Sequence, residues 1–490
     1  MSNINYSKQL NLNIKHEAFR YQNEAFEALK DLDYSGIFHE QGLGKTKIAI
    51  DLMVYWLQKR EIDTVIVVTK KQLVSNWVSE FDYHTFLKPK VLSSNKSDNY
   101  FILNSNARVI ITNFETISGD VDRLKLYLKT RSVAIIIDES TKIKNPESKL
   151  TQSFFELRSL FKIRTIMTGT PVANRPYDMW AQIFFLDGGE ALGKNFDDFK
   201  KKTDLSNKLS DNLSMQCEFE DSVSAIFKKI GKFCVRETKN SGIIKLPNKI
   251  YQTIMVNFEP VQQSMYEKIK EECAILVQKE DCAILDESDA SLKRLLRLLQ
   301  VTSNPRLIDE LYGYESGKEK RLTSLINEIV DKKEKVIVWS NFIENIDYFF
   351  KKFSYLNPCK IHGKMTIEDR NKSVKKFKED ESCKVLFATP QSAKEGLTLT
   401  VANNVVFYDR GFNLDDYLQA QDRIHRISQV KDCFIYILMI NDSIDVWIDK
   451  LLVAKQNAAF LAQGDYKIST YKQVADYSYS DLIKDILCIE

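Results

Sequence analysis

The chain has 490 residues, of which 44% are hydrophobic and 28% charged, and its formal net charge at pH 7 is +3. This length allows two or three domains with buried cores, and the composition is ordinary for a globular protein. No apolar run approaches the roughly 18 residues that a membrane-spanning helix needs, which argues against an integral membrane protein.

The N-terminus and the cysteines favour a cytoplasmic protein. Residues 1–19 have no continuous apolar stretch and no small-residue cleavage site, so we expect no export. The eight cysteines are scattered without a C-x-x-C pair, which predicts reduced thiols rather than a zinc site or a disulfide framework. The lysine-rich stretches 200–202 and 228–232 could face DNA, but a solvated surface is the simpler interpretation.

Short β-branched runs in the first part of the chain predict the central strands of a parallel sheet. They are Thr64–Thr69, Val109–Thr112, Val133–Ile137 and Arg164–Thr168. Helical patterns lie between them, at Lys45–Lys59 and Gln72–Phe81. This alternation predicts a doubly wound α/β lobe over residues 1–190.

A charged, mostly helical stretch at 191–246 predicts an insertion and a linker, with a hinge near Ser241-Gly242 and Leu246-Pro247. A second α/β lobe is then predicted at 247–460, with a helical insertion at about 261–306. Its strands are Lys335–Ser340, Lys384–Thr389, Asn404–Tyr408 and Cys433–Met439. We expect residues 461–490, which contain four tyrosines, to pack back onto a lobe as a C-terminal brace.

The segment Gly42-Leu43-Gly44-Lys45-Thr46 has the composition of a phosphate-binding loop that opens a helix. Backbone N–H groups and the helix dipole favour phosphate there, Lys45 would reach the β- and γ-phosphates, and Thr46 would ligate Mg²⁺. The full pattern G-x-x-x-x-G-K-[ST] is not met, because His39 stands at the first glycine position. A structural glycine-rich turn is the alternative.

Asp138-Glu139 follows the apolar run Val133–Ile137. A carboxylate at the end of a strand is where Mg²⁺ is expected, and Glu139 could take a proton from an attacking water. An isolated acidic pair could instead be a helix cap or a turn, but the upstream glycine-rich loop favours chemistry.

Asp138–Asn145 (DESTKIKN) resembles the D-E-A-H-x-I-K-N box of the Swi/Snf-type ATPases, a branch of the superfamily 2 DEAD/DEAH-like helicases. Further segments resemble motifs of this family in the same order: Tyr21-Gln22, Asn76–Phe81, Ile110–Thr116, Thr168–Pro171 with Asn174, Arg236, Leu246–Lys249, Ser303–Pro305, Ile361–Gly363, Gly396–Thr400 and Leu418–Gln429. The last, LQAQDRIHRISQ, is the most diagnostic. The resemblance spans roughly residues 18 to 455 and implies two tandem RecA-like lobes.

The resemblance also implies roles. Lys45, Asp138 and Glu139 would be catalytic, together with Arg423 and Arg426, which would approach the γ-phosphate from the second lobe and stabilise the transition state. Gln22 would read adenine through its amide. The cofactors would be ATP and Mg²⁺, with Thr46 and Asp138 as metal ligands and a nucleotide-binding set of Gln22, Gly42, Leu43, Gly44, Lys45, Thr46, Gln421 and Gly396.

DNA contacts are implied for Thr112, Asn113, Thr170, Thr398 and Thr400. Hydroxyl and N–H groups suit phosphate contacts, which position a protein without reading sequence. The alternative is that these threonines cap strands and helices. We interpret two tryptophans, Trp77 and Trp339, as core aromatics rather than platforms for bases.

The chain departs from the family pattern at Ser140-Thr141, which replaces Ala-His, and at His39, which replaces an Asp. In the family the histidine helps to connect hydrolysis to the Thr-Gly-Thr-Pro loop, so we expect coupling to be arranged differently here. No histone-reading module, zinc finger or long basic tail is evident, and we expect a bare motor rather than a nucleosome remodeller. The Lys-, Asn- and Ile-rich composition resembles that of proteins from AT-rich bacterial or phage genomes.

These features together predict a DNA-dependent ATPase that translocates along duplex DNA. Two alternatives stay open: a strand-separating helicase of the same superfamily, and a nucleotide-gated scaffold with little turnover. We expect the isolated motor to be a monomer without a membrane partner, and a bare motor of this kind often relies on a recruiting protein.

Overall fold

The computed structural model describes residues 11–60, 62–171, 176–203, 226, 228–239, 246–278, 289–393, 397–426 and 428–462. They form two compact units: one contains the described residues up to Thr203 and those from 226 to 239, and the other contains those from Leu246 onward. Asn174, Ser241-Gly242, Gly396 and residues 463–490 of the expected brace lie outside the described residues. Among the described helices, none is long and apolar enough to cross a membrane.

The first unit is built on a seven-stranded parallel sheet. Its strands are β1 (Tyr34–Ile37), β2 (Thr64–Thr69), β3 (Lys90–Val91), β4 (Val109–Asn113), β5 (Val133–Asp138), β6 (Ile163–Met167) and β7 (Cys234–Val235). They lie in the order β3-β4-β2-β5-β6-β1-β7. Every residue of β2, β4 and β5 is buried, which agrees with their continuous β-branched runs and means that both faces of the sheet centre are covered.

Nine labelled helices accompany this sheet in the described part of the first unit. They are α1 (Arg20–Leu29), α2 (Lys45–Lys59), α3 (Val74–His84), α4 (Lys96–Leu103), α5 (Phe114–Gly119), α6 (Val121–Thr130), α7 (Lys149–Leu157), α8 (Trp180–Asp187) and α9 (Phe196–Thr203). Trp56 of α2 and Trp77 and Phe81 of α3 pack with β2 residues in one apolar core. This core fixes the two helices that follow β1 and β2 against the sheet.

The second unit has a six-stranded parallel sheet in the order β10-β11-β9-β12-β13-β8. Its strands are β8 (Lys249–Val256), β9 (Val336–Trp339), β10 (Cys359–Ile361), β11 (Val385–Ala388), β12 (Asn404–Phe407) and β13 (Cys433–Ile440). Its described helices are α10 (Pro260–Gln278), α11 (Asp289–Ser303), α12 (Gly317–Asp331), α13 (Ile343–Lys352), α14 (Ile367–Glu379), α15 (Pro390–Ala393), α16 (Leu414–Gln421) and α17 (Ile444–Ala462). The two sheets confirm the predicted fold class of tandem doubly wound lobes with helical segments between and within them.

Candidate active site

The strand order of the first sheet explains why distant motifs meet. Strands β5, β6 and β1 are neighbours, and all of them run in the same direction. The glycine-rich loop follows β1, Asp138-Glu139 ends β5, and Thr168–Pro171 follows β6. Because the carboxyl ends of parallel strands share one edge, these three segments lie side by side where open α/β sheets bind ligands.

The glycine-rich loop turns at two left-handed positions. Gly42 has φ 85° and Gly44 has φ 70°, and Gly44 is the N-cap of α2. A Cβ on Gly44 would lie 2.2 Å from Gln22 Nε2, so the position requires glycine. The loop therefore ends at a helix N-terminus whose N–H groups are suited to phosphate.

Lys45 is buried at the start of α2. Its Nζ donates to the carbonyl oxygens of His39, at 2.9 Å, and Glu40, at 3.2 Å. Thr46, the next residue, is half-buried. A phosphate would be a stronger partner for the ammonium than neutral carbonyls, because both groups would then carry charge.

Gln22 lies against this loop, beside Tyr21. The Tyr21 hydroxyl donates to the Leu43 carbonyl (2.9 Å), and Gln22 Nε2 donates to the Tyr21 oxygen (3.3 Å). Gln22 Oε1 accepts from the backbone N–H of Phe19 at 2.9 Å, which caps α1. Burial raises the pKa of Tyr21 to about 12, so the phenol stays a donor. The predicted adenine-reading residue is thus placed beside the loop that it would serve.

Asp138 is held by two donors from neighbouring elements. Its Oδ2 accepts from the indole Nε1 of Trp77 (2.8 Å) and from the hydroxyl of Thr69 (3.1 Å) at the end of β2. Both bonds go to one oxygen, which leaves Oδ1 for a further ligand. Burial, and next the charge of Glu139, raise the pKa of Asp138 to about 6. Trp77 is buried as expected of a core aromatic, but it also orients a site carboxylate.

Glu139 has φ 55°, a left-handed conformation that is rare for a residue with a side chain and that often marks a functional site. Its Oε1 accepts from Gln41 Nε2 at 3.4 Å, and Lys70 Nζ lies 3.9 Å from Oε2. Oε2 is buried and accepts no hydrogen bond from the residues that the structure describes. This oxygen can therefore accept a proton from a water molecule.

The loop after β6 packs against the glycine-rich loop. A Cβ on Gly169 would lie 2.9 Å from Gln41 Cγ, so the two backbones approach closely. Thr168 Oγ1 accepts from the N–H of the half-buried Thr170 at 3.2 Å. Gln41 thus touches both this loop and Glu139.

The environment of His39 keeps its side chain uncharged. It is buried, and burial, followed by the nearby charge of Lys45, lowers its pKa to about 4. The imidazole is therefore neutral at pH 7 and adds no second positive charge near Lys45.

In the second unit, the two predicted arginines differ in exposure. Arg423 is buried, and its Nε donates to the Gln419 carbonyl at 3.0 Å. Arg426 is half-buried, and its Nη1 donates to the Thr398 hydroxyl at 2.7 Å. Gln421 is also buried and accepts from the Tyr251 hydroxyl at 2.8 Å. Arg426 is the more accessible of the two arginines.

The residues expected to contact DNA occupy mixed environments. Thr112 is fully buried, so its hydroxyl does not fit the expected DNA contact in this conformation. Asn113 Oδ1 accepts from the Thr116 N–H at 2.9 Å and so caps α5. Thr398 supports Arg426, and Thr400 Oγ1 lies 3.0 Å from Ser428 Oγ. Thr170, Thr398 and Thr400 remain partly accessible.

The first-unit site has the donor set for a magnesium nucleotide. Its left-handed glycines leave room for phosphate oxygens, and Lys45 supplies positive charge. Mg²⁺ is commonly held by one or two carboxylates together with substrate phosphates, and Asp138 Oδ1 and the Thr46 hydroxyl are suitable ligands. These features define the class of a nucleoside-triphosphate-binding α/β protein.

Comparisons with known families show to which family the chain belongs. The SNF2-related domain matches residues 21–308, more than half of the chain, and the helicase conserved C-terminal domain matches residues 317–428. The protein therefore belongs to the SNF2-related family, and the resemblance seen in its motifs is confirmed.

Relatives from several organisms match most of the chain. An uncharacterized ATP-dependent helicase of Mycoplasma pneumoniae is 28% identical over 451 residues, which cover 89% of this chain and 41% of that protein. The ISWI chromatin-remodeling complex ATPase ISW1 of Saccharomyces cerevisiae is 27% identical and is matched over 83% of this chain and 36% of its own length. The chain thus spans about two fifths of the length of these relatives.

A solved structure described as the Sulfolobus solfataricus SWI2/SNF2 ATPase core in complex with dsDNA also aligns with the chain. The identity is 24%, 97% of each chain is covered, and the TM-score is 0.43. The family assignment rests on the sequence matches and not on this superposition.

Proposed function

We propose that the protein is a DNA-dependent ATPase that hydrolyses ATP with Mg²⁺ and uses the reaction to translocate along duplex DNA. The observation that carries this proposal is the convergence of the glycine-rich loop, the acidic pair and the loop after β6 around Gln41. Gln41 follows His39-Glu40 in the glycine-rich segment, bonds Glu139 at 3.4 Å and packs against Gly169. Membership in the SNF2-related family supports the same activity.

Each site residue has a proposed task. The N–H groups of Gly42–Thr46 and the Lys45 ammonium would bind the phosphates, while Gln22 would contact the adenine. Asp138 and Thr46 would hold Mg²⁺, which neutralises phosphate charge when bound. Glu139 would accept the proton of the attacking water through Oε2. Arg423 and Arg426, the latter bonded to Thr398, would stabilise charge that develops on the γ-phosphate.

Duplex DNA is the proposed track because of the family and because Thr170, Thr398 and Thr400 are partly exposed. A yeast relative is named as the ATPase of a chromatin-remodeling complex. Hydroxyl contacts to phosphates would allow movement that is independent of base sequence. We therefore expect no sequence preference.

ATP turnover should be measured without DNA and with duplex, single-stranded and forked DNA. We expect duplex DNA to stimulate turnover most. Turnover that is indifferent to DNA would contradict the translocase, and the absence of turnover under all conditions would favour the nucleotide-gated scaffold.

Strand separation requires its own measurement. A triplex-displacement assay should be run beside unwinding of a forked duplex at the same ATP concentration. Displacement of the third strand without unwinding is the expected result, whereas efficient unwinding of the fork would favour the strand-separating helicase.

A further inference from the structure

A buried hydrogen-bond chain joins the acidic box to the loop after β6. The Ser140 hydroxyl donates to Gln182 Oε1 at 2.7 Å. Gln182 Nε2 donates to the carbonyl oxygens of Pro171 and Asp178, each at 2.9 Å. Both side chains are fully buried, and two facing carbonyls fix the orientation of the amide.

This chain has a counterpart on the other side of the site. Gln41 bonds Glu139 and packs against Gly169, whereas Gln182 bonds Ser140 and Pro171. Glu139 and Ser140 are therefore each hydrogen-bonded to one glutamine, and these two glutamines contact the two ends of the segment 169–171. A displacement of that segment must therefore move both glutamines or break the contacts of one of them.

Thr141, which replaces the histidine of the family box, does not connect the box to the loop after β6. Its side chain is half-buried and forms no hydrogen bond with any residue in the described part of the chain. The polar link at this point runs instead through the preceding residue, Ser140. Because Ser140 follows the left-handed Glu139 directly, a shift of its backbone changes the direction of the Glu139 side chain.

We propose that Gln182 is a positioning residue that couples the placement of Glu139 to the segment 168–171 through Ser140. The proposal rests on the proposed ATPase function, in which Thr170 of this segment would contact DNA and Glu139 would activate water. Gln182 contacts neither nucleotide nor DNA in this assignment. It provides a side-chain connection between the two segments in addition to the contacts of Gln41.

The test uses the full chain with Ser140→Ala, Gln182→Met and the double variant. We expect each single variant to lower the ratio of DNA-stimulated to basal turnover by about tenfold, with the KM for ATP within about threefold of the original value. The double variant should be no worse than Gln182→Met, because both changes interrupt one link. Multiplied losses in the double variant, or an unchanged ratio in both single variants, would overturn the proposal.

Ser35→Ala is the matched control. Ser35 is equally buried in the same sheet, and its hydroxyl lies 2.8 Å from the Thr165 hydroxyl, outside the link. It should lower the thermal midpoint as Ser140→Ala does and leave the stimulation ratio intact. Equal loss of the ratio in both serine variants would show a general packing effect and contradict the coupling.

Hydrogen exchange separates this inference from the proposed function. With a non-hydrolysable ATP analogue bound, the amides of residues 168–170 should gain protection in the original protein and lose that gain in Gln182→Met. This readout does not require turnover. An inactive original protein would refute the ATPase, whereas analogue-induced protection that is unchanged by Gln182→Met would refute the coupling.

Discussion

The indole N–H of Trp77 donates a 2.8 Å hydrogen bond to Oδ2 of Asp138, and it joins α3 to the last residue of β5. This bond favours the ionised carboxylate, whereas burial and the Glu139 charge oppose ionisation. As a result, the pKa of Asp138, about 6, lies close to neutral pH. The position of one tryptophan therefore influences the charge of the proposed metal ligand.

Replacing Trp77 with Phe should move the acidic limb of the pH–rate profile. The variant removes the donor, so the pKa of Asp138 should rise above about 6, and activity should be lost at a higher pH as the pH falls. A rise of about one pKa unit, which corresponds to about 1.4 kcal/mol, should lower turnover by about twofold at pH 7 and by nearly tenfold well below pH 6. The measurement is ATP turnover between pH 5.5 and about 8.5.

Trp339→Phe provides the control for this experiment. Trp339 is also buried, and its Nε1 has no hydrogen-bond partner among the described residues. The Trp339→Phe variant should leave the acidic limb of the pH–rate profile unchanged. An equal displacement in both variants would mean that general loosening, not the bond to Asp138, moves the profile.

Asp138→Asn should abolish turnover and stabilise the fold at neutral pH. A buried carboxyl with a pKa raised to about 6 binds its proton more tightly when folded, so the ionised form costs stability above that pH. The gain from Asn should be on the order of 2 kcal/mol at pH 7 and should disappear as the pH falls towards about 4. Urea denaturation of both proteins at the two pH values measures it, and a gain that persists at the lower pH would contradict the raised pKa.

Gly44→Ala should prevent nucleotide binding. The added Cβ meets Gln22 Nε2 at 2.2 Å, and the left-handed backbone adds strain of about 1–3 kcal/mol. Gly193→Ala is the matched control, because Gly193 also has a left-handed φ of 87° but faces open space. Titration with a fluorescent ATP analogue should show lost affinity for Gly44→Ala alone, despite comparable destabilisation by both changes.

Arg426→Ala should reduce turnover at saturating ATP by about 10³-fold or more, while ATP affinity stays within a few-fold. The contact is proposed to matter mainly in the transition state, so ground-state binding should change little. Arg321→Ala removes an arginine whose ion pair with Glu328 is on the surface of the same unit, and it should have no effect. Collapsed ATP affinity with a normal saturated rate would show that Arg426 has a different role.

Local sequence was sufficient for β2, β4, β5 and β6, because strands buried on both faces carry continuous β-branched runs, as in Val133–Ile137. It did not predict β8, a strand at the sheet edge whose residues are all half-buried or exposed. Nor did it predict β7, a two-residue strand that exists only because β1 pairs with it. Edge strands depend on partners that are distant in sequence.

The same limit applies to the site. Asp138 and Glu139 could be proposed from their place after an apolar run, but Trp77 lies 61 residues away from its carboxylate partner. Gln182 lies 42 residues from Ser140, and no spacing rule links an amide on one helix to a hydroxyl after a strand. Motif residues were therefore recognisable one by one, whereas the bonds that orient them required the three-dimensional structure.

Strand β7 has a consequence for how the protein is made. The N–H groups of Gly36, Phe38 and Glu40 donate to the carbonyls of residues 233, 235 and 237, at 2.8 to 2.9 Å. During synthesis, these partners emerge from the ribosome almost two hundred residues after the strand that they complete. Until then, the edge of β1 beside the nucleotide loop stays open, so a nascent chain stalled before residue 233 would offer that edge to chaperones or to other nascent chains.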